Sequence, residues 1–318
     1  MASPKRIVVI GSVNMDLVCR TARIPNPGET VLGDQLVTIP GGKGANQAVA
    51  AAKLAGPEMS VDLIARVGDD DFGQRLFNGL TQHGVGVSRV TITEGVSSGC
   101  AMILIDGKGE NSIVVAPGAN GKLVPADIDA AEDLIRGASA VLMQQEVPLA
   151  TIAHAIALCQ RLGVFTILDP APSPAKGLPR ALYGVDILTP NQSEAERLLG
   201  FDPDLQSGTR KSIDPKQIAT RLLARGCGAA VIKQGARGAM LVGRDGVIRT
   251  VRGFKVKIID TTAAGDAFTA ALAVAHTEGL SLPDAVRFAN AAGALACQSF
   301  GAQPALPARE AARTLAKM

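Results

Sequence analysis

The chain has 318 residues, of which 47% are hydrophobic, and its 32 basic and 29 acidic residues give a net charge of +3. This length is enough for one large α/β domain or two smaller domains with a sizeable core. The basic residues form no run that would follow a nucleic-acid backbone, and the chain has no Trp and a single Tyr. Recognition of a ligand is therefore expected to depend on hydrogen bonds rather than on aromatic stacking.

The cysteines and the first residues indicate a cytoplasmic protein. The five cysteines are far apart and include no CxxC pair, which is typical of reduced thiols. The opening segment has only four consecutive apolar residues before Gly11, too few for a signal peptide or a membrane span. We expect no membrane and no nucleic-acid partner.

Short β-branched runs alternate with helical patterns along most of the chain. The predicted strands are 6–11, 61–68, 140–146, 165–171, 186–191 and 229–235. The predicted helices are 45–54, 72–83, 128–136, 149–162, 194–199, 215–225, 264–278, 283–299 and 307–317. Uniformly apolar strands separated by helices favour an α/β fold with a doubly wound, mostly parallel sheet, here a single domain over 1–318. Such sheets bind ligands at the carboxyl ends of their strands.

Two turn-rich segments interrupt this alternation. Residues 18–40 contain short β pieces, and residues 99–120 form a predicted hairpin around the sequence DGKGEN. We interpret segments of about 14–40 and 98–118 as a small antiparallel β lid, whose exposed edge would pair with a second subunit. The other interpretation is two independent surface hairpins.

Familiar nucleotide-binding loops do not fit the glycine-rich stretches. The sequence IPGGKGANQA (39–48) is not a Walker A loop, because Val37 replaces the required first Gly and Gly44 replaces Ser or Thr. The sequence GSVNMD (11–16) has one glycine where a dinucleotide-binding loop needs three, which argues against a dehydrogenase. The three histidines form no metal-ligand pair, so a zinc site is not expected.

The sequence DTTAAGDAF (260–268) predicts an anion-binding helix start. Ala263, Ala264 and Gly265 are small enough for a ligand to approach the backbone, and the free N–H groups of the first turn would face it. Asp266 lies in that turn. From the residues alone it is either a cap or first-turn acid favoured by the helix dipole, or a catalytic carboxylate.

Four motifs together resemble the ribokinase-like (PfkB) family of carbohydrate kinases. They are GSVNMD (11–16), PGGKGANQAVAAAKLAG (40–56), TPNQSEA (189–195) and DTTAAGDAF (260–268), in the order of the family. The resemblance spans essentially the whole chain and implies ATP-dependent phosphorylation of a sugar. Combined with the Glu of QQEVP, the motifs imply D-ribose as the acceptor, phosphorylated at O5, and a homodimer formed through the lid.

The resemblance assigns the reacting groups and the sugar site. Asp266 is implied as the base, with the backbone N–H groups of Ala264, Gly265 and Asp266 as the anion hole. The implied sugar-binding residues are Asn14, Asp16, Gly42, Lys43, Asn46, Glu146 and Asp266. Without the resemblance, Asn14 and Asp16 fit a polar turn after a strand, and Lys43 fits a solvated surface lysine.

The resemblance also implies sites for ATP and two kinds of metal ion. The nucleotide site would comprise Asn191, Lys233, Gln234, Gly235, Ala236, Arg237, Gly238, Gly265 and Asn290, with the adenine between aliphatic side chains. Asn191 and Glu194 would lie near Mg²⁺, through water molecules, although the same pair also fits a helix cap. The implied K⁺ ligands are Asp260, Thr262, Ala296, Ser299, Gly301 and Ala305. Ala305 departs from the family, in which a side-chain hydroxyl is common at this position.

Other functions remain open at this point. Another kinase of the family would act on 2-deoxyribose, a different sugar or a nucleoside. A sugar or nucleotide sensor without catalytic activity is a further alternative, and the intact sequence around Asp266 argues against it.

Overall fold

The computed structural model describes residues 5–174, 177–200 and 214–318. The strands in this part are β1 (Lys5–Ile10), β2 (Asn14–Thr21), β3 (Gly33–Gly41), β4 (Met59–Gly68), β5 (Gly86–Thr93), β6 (Gly99–Ile105), β7 (Asn111–Ala116), β8 (Ala140–Met143), β9 (Thr166–Leu168), β10 (Ile187–Leu188), β11 (Ala229–Lys233), β12 (Gly238–Gly243) and β13 (Ile248–Arg252). The helices are α1 (Lys43–Leu54), α2 (Asp71–Gln82), α3 (Pro125–Asp129), α4 (Glu132–Arg136), α5 (Leu149–Leu162), α6 (Gln192–Leu198), α7 (Pro215–Arg225), α8 (Ala264–Thr277), α9 (Leu282–Ala296) and α10 (Arg309–Ala316).

Nine strands form one large sheet in the order β13-β12-β11-β10-β9-β8-β1-β4-β5. The pairings from β11 to β5 are parallel, and β12 and β13 add an antiparallel edge. Along β1, Ile7 and Val9 face one hydrophobic cluster while Val8 and Ile10 face the other. Since both faces of the sheet are covered, its central strands are apolar throughout, and the predicted doubly wound α/β fold is confirmed.

The helices lie on the two sides of this sheet. Alanine-rich α1 and α8 pack against each other with α9 on one side, because small side chains allow the close approach of helices. Helices α5 and α7 cover the other side. Within the described residues, no helix is long and apolar enough to cross a membrane.

Several predicted elements differ in their extent. The predicted strands 165–171 and 186–191 are only Thr166–Leu168 and Ile187–Leu188, and the predicted helix 283–299 is Leu282–Ala296. The predicted helix 128–136 is broken into α3 and α4, because the chain leaves helical geometry at Ala131. The predicted strand 140–146 ends at Met143, and the polar residues Gln144 and Glu146 that follow turn toward other side chains instead of continuing the sheet.

The two lid segments form a separate four-stranded sheet in the order β3-β2-β6-β7. The pairs β2–β3 and β6–β7 are antiparallel, as predicted, whereas the central pair β2–β6 is parallel. The reason is that both strands leave the main domain side by side, with Asn14 opposite Gly99. The sheet exposes large apolar side chains, namely Leu36, Met102, Ile113, Val114 and Val115.

Candidate active site

One cavity of about 760 Å³ lies at the carboxyl ends of the parallel strands. It extends to the N-terminal turn of α8. Its polar lining includes Lys43, Asp169, Asn191, Glu194, Lys233, Asp266 and Asn290. Residues from five predicted motifs or strand ends therefore meet at one place.

The start of α1 packs against the loop that follows β1, which requires glycine at two positions. Gly42 has φ 85°, and a Cβ there would stand 2.7 Å from the backbone nitrogen of Asn14. A Cβ on Gly44 would stand 2.5 Å from the carbonyl carbon of Gly11. This close approach holds the helix start that carries Lys43 against the loop that leads to Asn14, both parts of the predicted sugar site.

Hydrogen bonds to side chains distant in sequence fix the predicted sugar-binding residues. Glu146 Oε2 accepts from the Lys43 backbone nitrogen at 3.0 Å and from Ser12 Oγ at 2.5 Å. Asn14 Oδ1 accepts from Asn120 Nδ2 at 2.7 Å. Sequence reasoning missed Ser12 and Asn120, since nothing local to either residue signals its partner.

The charges in this region strongly perturb one another. Burial, reinforced by the nearby carboxylates of Glu146 and Asp266, raises the pKa of Asp16 to about 7 although Lys43 opposes the change. Burial alone would lower the pKa of Lys43, but Asp266 and Glu146, with other carboxylates, raise it above its usual value. Lys43 is thus a permanent cation among acids, not a solvated surface lysine.

Helix α8 begins in the geometry expected of an anion-binding turn. Ala263 precedes it in the left-handed region with φ 59°, which is uncommon for a residue with a side chain. The Ala264 N–H donates to the Thr261 carbonyl at 3.3 Å. The next N–H groups, of Gly265 and Asp266, belong to the first turn, where an α-helix provides no acceptor of its own.

Asp266 lies between the predicted sugar site and the cavity. Its side chain is buried; Oδ2 accepts from Asn46 Nδ2 at 3.0 Å and Oδ1 accepts from Gln47 Nε2 at 3.2 Å. Burial raises the pKa of Asp266 to about 6, partly offset by Lys43. Above that pH the carboxylate is free to accept a proton from a hydroxyl group beside it.

A buried ion pair in the cavity was not predicted. Asp169 Oδ1 accepts from Lys233 Nζ at 2.9 Å. Gln47 Nε2 donates to Asp169 Oδ2 at 3.3 Å as well as to Asp266. Sequence reasoning placed Lys233 in the nucleotide loop and treated Asp169 only as part of a strand. The available signal was a carboxylate directly after a buried parallel strand, where ligand-binding residues concentrate.

Asn191 and Glu194 form a helix cap that also lines the cavity. Asn191 Oδ1 accepts from the Glu194 backbone nitrogen at 2.8 Å, and Glu194 Oε2 accepts from the Asn191 backbone nitrogen at 2.7 Å. Burial raises the pKa of Glu194, while Lys233 opposes that change. Asn191 and Glu194 therefore cap α6 and lie beside the cavity at the same time.

The predicted nucleotide loop begins with Lys233 at the end of β11 and runs through a short turn. Gly235, Ala236 and Gly238 line the cavity. Gln234 and Arg237 do not line it, and Arg237 instead donates to Gln192 Oε1 at 3.1 Å. Asn290 lines the cavity and donates to the Val251 and Arg252 carbonyls. Phe254 and Phe268 also line the cavity, together with the aliphatic residues Val256 and Ile258.

The predicted K⁺ ligands lie in two segments of the chain that a hydrogen bond joins. Asp260 Oδ1 accepts from Thr262 Oγ1 at 2.7 Å, and Asp260 Oδ2 accepts from the Gly301 backbone nitrogen at 3.0 Å. Ala296 ends α9, Ser299 follows it, and Ala305 is buried in a short turn. Over residues 5–174, 177–200 and 214–318, no three His, Cys, Asp or Glu side chains are grouped as a metal site. A cation here would depend mostly on backbone carbonyl oxygens.

Known proteins resemble this chain over nearly its full length. The model of the "pfkB family carbohydrate kinase" matches residues 4–309. A ribokinase of Bacillus subtilis is 40% identical over 308 residues, covering 96% of this chain and 97% of the relative. A ribokinase of Schizosaccharomyces pombe is 38% identical over 305 residues, covering 95% and 94%. The solved structure of Arabidopsis thaliana ribokinase complexed with ribose and ATP superposes with a TM-score of 0.88 at 32% identity and covers 100% of both chains.

The family match and the curated relatives identify a phosphotransferase that acts on a hydroxyl group of a carbohydrate. With the family match and these relatives, the chain belongs to the PfkB family of carbohydrate kinases.

Proposed function

We propose that this carbohydrate kinase transfers the γ-phosphoryl group of ATP to O5 of D-ribose, giving D-ribose 5-phosphate and ADP. The observation that supports it most is the position of Asp266, whose buried carboxylate is hydrogen-bonded to Asn46 of the sugar-binding motif and also lines the cavity. Relatives named ribokinase, one of them crystallised with ribose and ATP, support ribose and ATP as the two substrates.

In the proposed reaction, Asp266 accepts the proton of O5 as the new bond from O5 to phosphorus forms and the bond from phosphorus to the bridging oxygen of ADP breaks. The N–H groups of Gly265 and Asp266 would stabilise charge on the transferring group, and the Ala264 N–H would join them by exchanging its 3.3 Å bond to the Thr261 carbonyl for one to the phosphoryl group. Asp16 would accept hydrogen bonds from neighbouring ring hydroxyls, as a two-oxygen acceptor can. Asn14, Gly42, Lys43, Asn46 and Glu146 would complete the sugar site.

The nucleotide would occupy the cavity beside the 233–238 loop. Its phosphates would run from Asn191 and Lys233 to Gly265, with the base near Asn290. The small residues that line the cavity on both sides, among them Gly235, Ala236 and Ala264, support this orientation because they allow a ligand close to the backbone.

Asn191 and Glu194 would hold Mg²⁺ through water molecules. The residues fit such an ion, because their amide and carboxylate oxygens are ligands that Mg²⁺ prefers and both residues line the cavity. Bound there, Mg²⁺ would neutralise charge on the phosphates.

A K⁺ ion would lie beside the anion-binding turn, held by oxygens of Asp260, Thr262, Ala296, Ser299, Gly301 and Ala305. The hydrogen bond from Gly301 to Asp260, which joins the two loops, supports this set. Ala305 offers only its carbonyl, so a water molecule would replace the hydroxyl common in the family. Equal turnover in Na⁺, in K⁺ and without monovalent ions would contradict K⁺ activation.

We also propose that the chain is a single cytoplasmic domain and forms a homodimer through its lid. Met102 and Val114, which are exposed and paired across β6 and β7, support the dimer, because adjacent exposed apolar side chains commonly mark an interface.

The test is ADP release from Mg-ATP with D-ribose, 2-deoxyribose, fructose and adenosine in parallel, each with and without K⁺. We expect turnover with ribose well above the others and increased by K⁺. Activity with a different acceptor would agree with a kinase but contradict ribose as the acceptor. No turnover with any acceptor, while ribose still binds, would contradict catalysis and favour a sensor.

A further inference from the structure

We infer that Asp169 is a positioning residue for phosphoryl transfer, which holds the Lys233 ammonium group at the phosphate-binding turn and is tied through Gln47 to the base. This inference rests on the proposed function, because it concerns the same site. It assigns a role to a residue that belongs to none of the four family motifs.

Both carboxylate oxygens of Asp169 have hydrogen-bond partners, and one of these partners, Lys233, lines the cavity together with Asp169. It follows β9 directly, and its Oδ1 accepts from Lys233 Nζ at 2.9 Å. Its Oδ2 accepts from Gln47 Nε2 and from Thr269 Oγ1, both at 3.3 Å. The Asp169 side chain is 2% exposed, so its orientation is fixed.

Lys233 is thereby held beside the predicted anion hole. Its Nζ lies 3.4 Å from the position that a Cβ on Gly265 would take. An ammonium group has three donors, and the bond to Asp169 leaves two for a phosphate oxygen. The turn at α8 contains no cation of its own, and strand β11 supplies one from elsewhere in the chain. A cation at this place would stabilise charge on the transferring phosphoryl group.

The same carboxylate is connected to the base. The Gln47 side-chain nitrogen donates to Asp169 and to Asp266 at 3.3 and 3.2 Å, and its oxygen accepts from Gln144 Nε2 at 2.6 Å. That last bond fixes which end of the amide faces the two acids. The charged groups that act on Asp266 are Lys43, Asp169 and Asp16, and Asp169 helps to raise the pKa of the base.

A purely structural ion pair explains these contacts less well. Removing two charges from water usually costs as much as their attraction returns, so a buried pair is seldom present for stability alone. This pair instead lines the cavity in which the nucleotide is proposed to bind, where its lysine can meet a phosphate group.

The experiment compares the wild type with Asp169→Asn, Lys233→Met, Lys233→Arg and the double variant Asp169→Asn/Lys233→Met. The matched control is Glu278→Gln, which breaks a half-buried ion pair with Arg309 at the opposite end of α8. For each protein we would measure kcat, KM for ATP, the pH profile of kcat/KM, ribose affinity and Tm.

For Asp169→Asn we expect kcat to fall about 10- to 100-fold, with KM for ATP unchanged or lower because a repelling charge is gone. The acid limb of the pH profile should move to lower pH, while ribose affinity stays within about twofold. Lys233→Arg should retain more activity than Lys233→Met. The double variant should lose about as much kcat as the worse single variant, because the two residues act as a unit.

Three results would overturn the inference. One is a kcat for Asp169→Asn within about twofold of the control, with only Tm lowered. Another is additive losses in the double variant. The third is a kcat restored by excess Mg²⁺, which would assign Asp169 to the metal.

Failure of the proposed function can be distinguished from failure of the inference about Asp169. If the wild type phosphorylates another sugar, the same variants are compared on that sugar. If the wild type is inactive with every acceptor, calorimetric titration with ATP tests whether Lys233 contacts the nucleotide. An affinity about 5- to 10-fold weaker in Lys233→Met would support the placement of Lys233, and an unchanged affinity would overturn it.

Discussion

At the scale of the residue, Asp266 combines the properties required of a base. It is buried, oriented by two amide donors, and has a pKa raised to about 6. Because the base and the sugar-binding carboxylate of Asp16 must both be deprotonated, kcat/KM should rise with pH from below 6 to about 7 and level off above that. A rate profile that is flat between pH 5 and pH 7 would contradict this assignment.

Replacement of the base isolates its chemical role. We expect Asp266→Asn to lower kcat by about 10³-fold or more, because both proton transfer and positioning are lost. The amide is nearly isosteric, so ribose should still bind in calorimetry. Unchanged turnover in this variant would contradict the role of Asp266.

The buried carboxylate of Asp16 is expected to bind the sugar but to lower the stability of the folded protein. Its pKa is raised to about 7 in the folded protein, so the native state binds more protons than the unfolded state between about pH 4 and pH 7. Asp16 therefore lowers the stability progressively as the pH rises through this range, and fully above it. Asp16→Asn should raise the free energy of unfolding by roughly 1–3 kcal/mol at pH 8 and change it little at pH 4.

Chemical denaturation at the two pH values measures this effect, with pH 4 as the internal control. Ribose affinity should fall in the same variant, because an acceptor of two hydroxyl groups is lost. If Asp16→Asn has a lower free energy of unfolding than the wild type at pH 8, the sign is opposite to the prediction and the burial argument is contradicted.

At the scale of the element, the contact between α1 and the loop after β1 sets the sugar site. Gly44→Ala would place a methyl group 2.5 Å from the Gly11 carbonyl carbon, so the helix must shift. We expect a loss of about 1–3 kcal/mol in stability and much weaker ribose binding.

Gly79→Ala is the matched control for this prediction. Gly79 lies inside α2, and a Cβ there meets nothing within 4 Å. It should stabilise the protein by about 0.5–1 kcal/mol, since alanine favours a helix more than glycine does. Thermal unfolding of both variants measures the difference, and equal stability changes would contradict the steric argument.

Much of the element pattern could be predicted, because it depends on local sequence. The apolar run of β1 and the small-residue start of α8 both carry their signal within a few positions. Contacts between distant segments could not. Asp169 and Lys233 are 64 positions apart, and Asn14 and Asn120 are 106 apart, so no local pattern links either pair. The parallel pairing of β2 with β6 was missed for the same reason, because strand periodicity does not indicate the direction of a partner.

At the scale of the whole molecule, the apolar lid predicts association. Val114 on β7 is 63% exposed, and a charge there should prevent the burial of this surface between two subunits. We expect Val114→Lys to be a monomer by light scattering where the wild type is a dimer. Val247→Lys, at an exposed valine of the main domain, is the control and should remain dimeric. A monomeric wild type would contradict the proposed homodimer.

The most direct test of the account is the identity of the product. Wild-type protein is incubated with Mg-ATP, K⁺ and D-ribose, and the product is examined by phosphorus NMR with coupling to the sugar protons. We predict a single phosphomonoester coupled to the two protons on C5, formed with ADP and missing from Asp266→Asn. A phosphoryl group on another hydroxyl, or no ester from a protein that still binds ribose, would contradict phosphoryl transfer to O5.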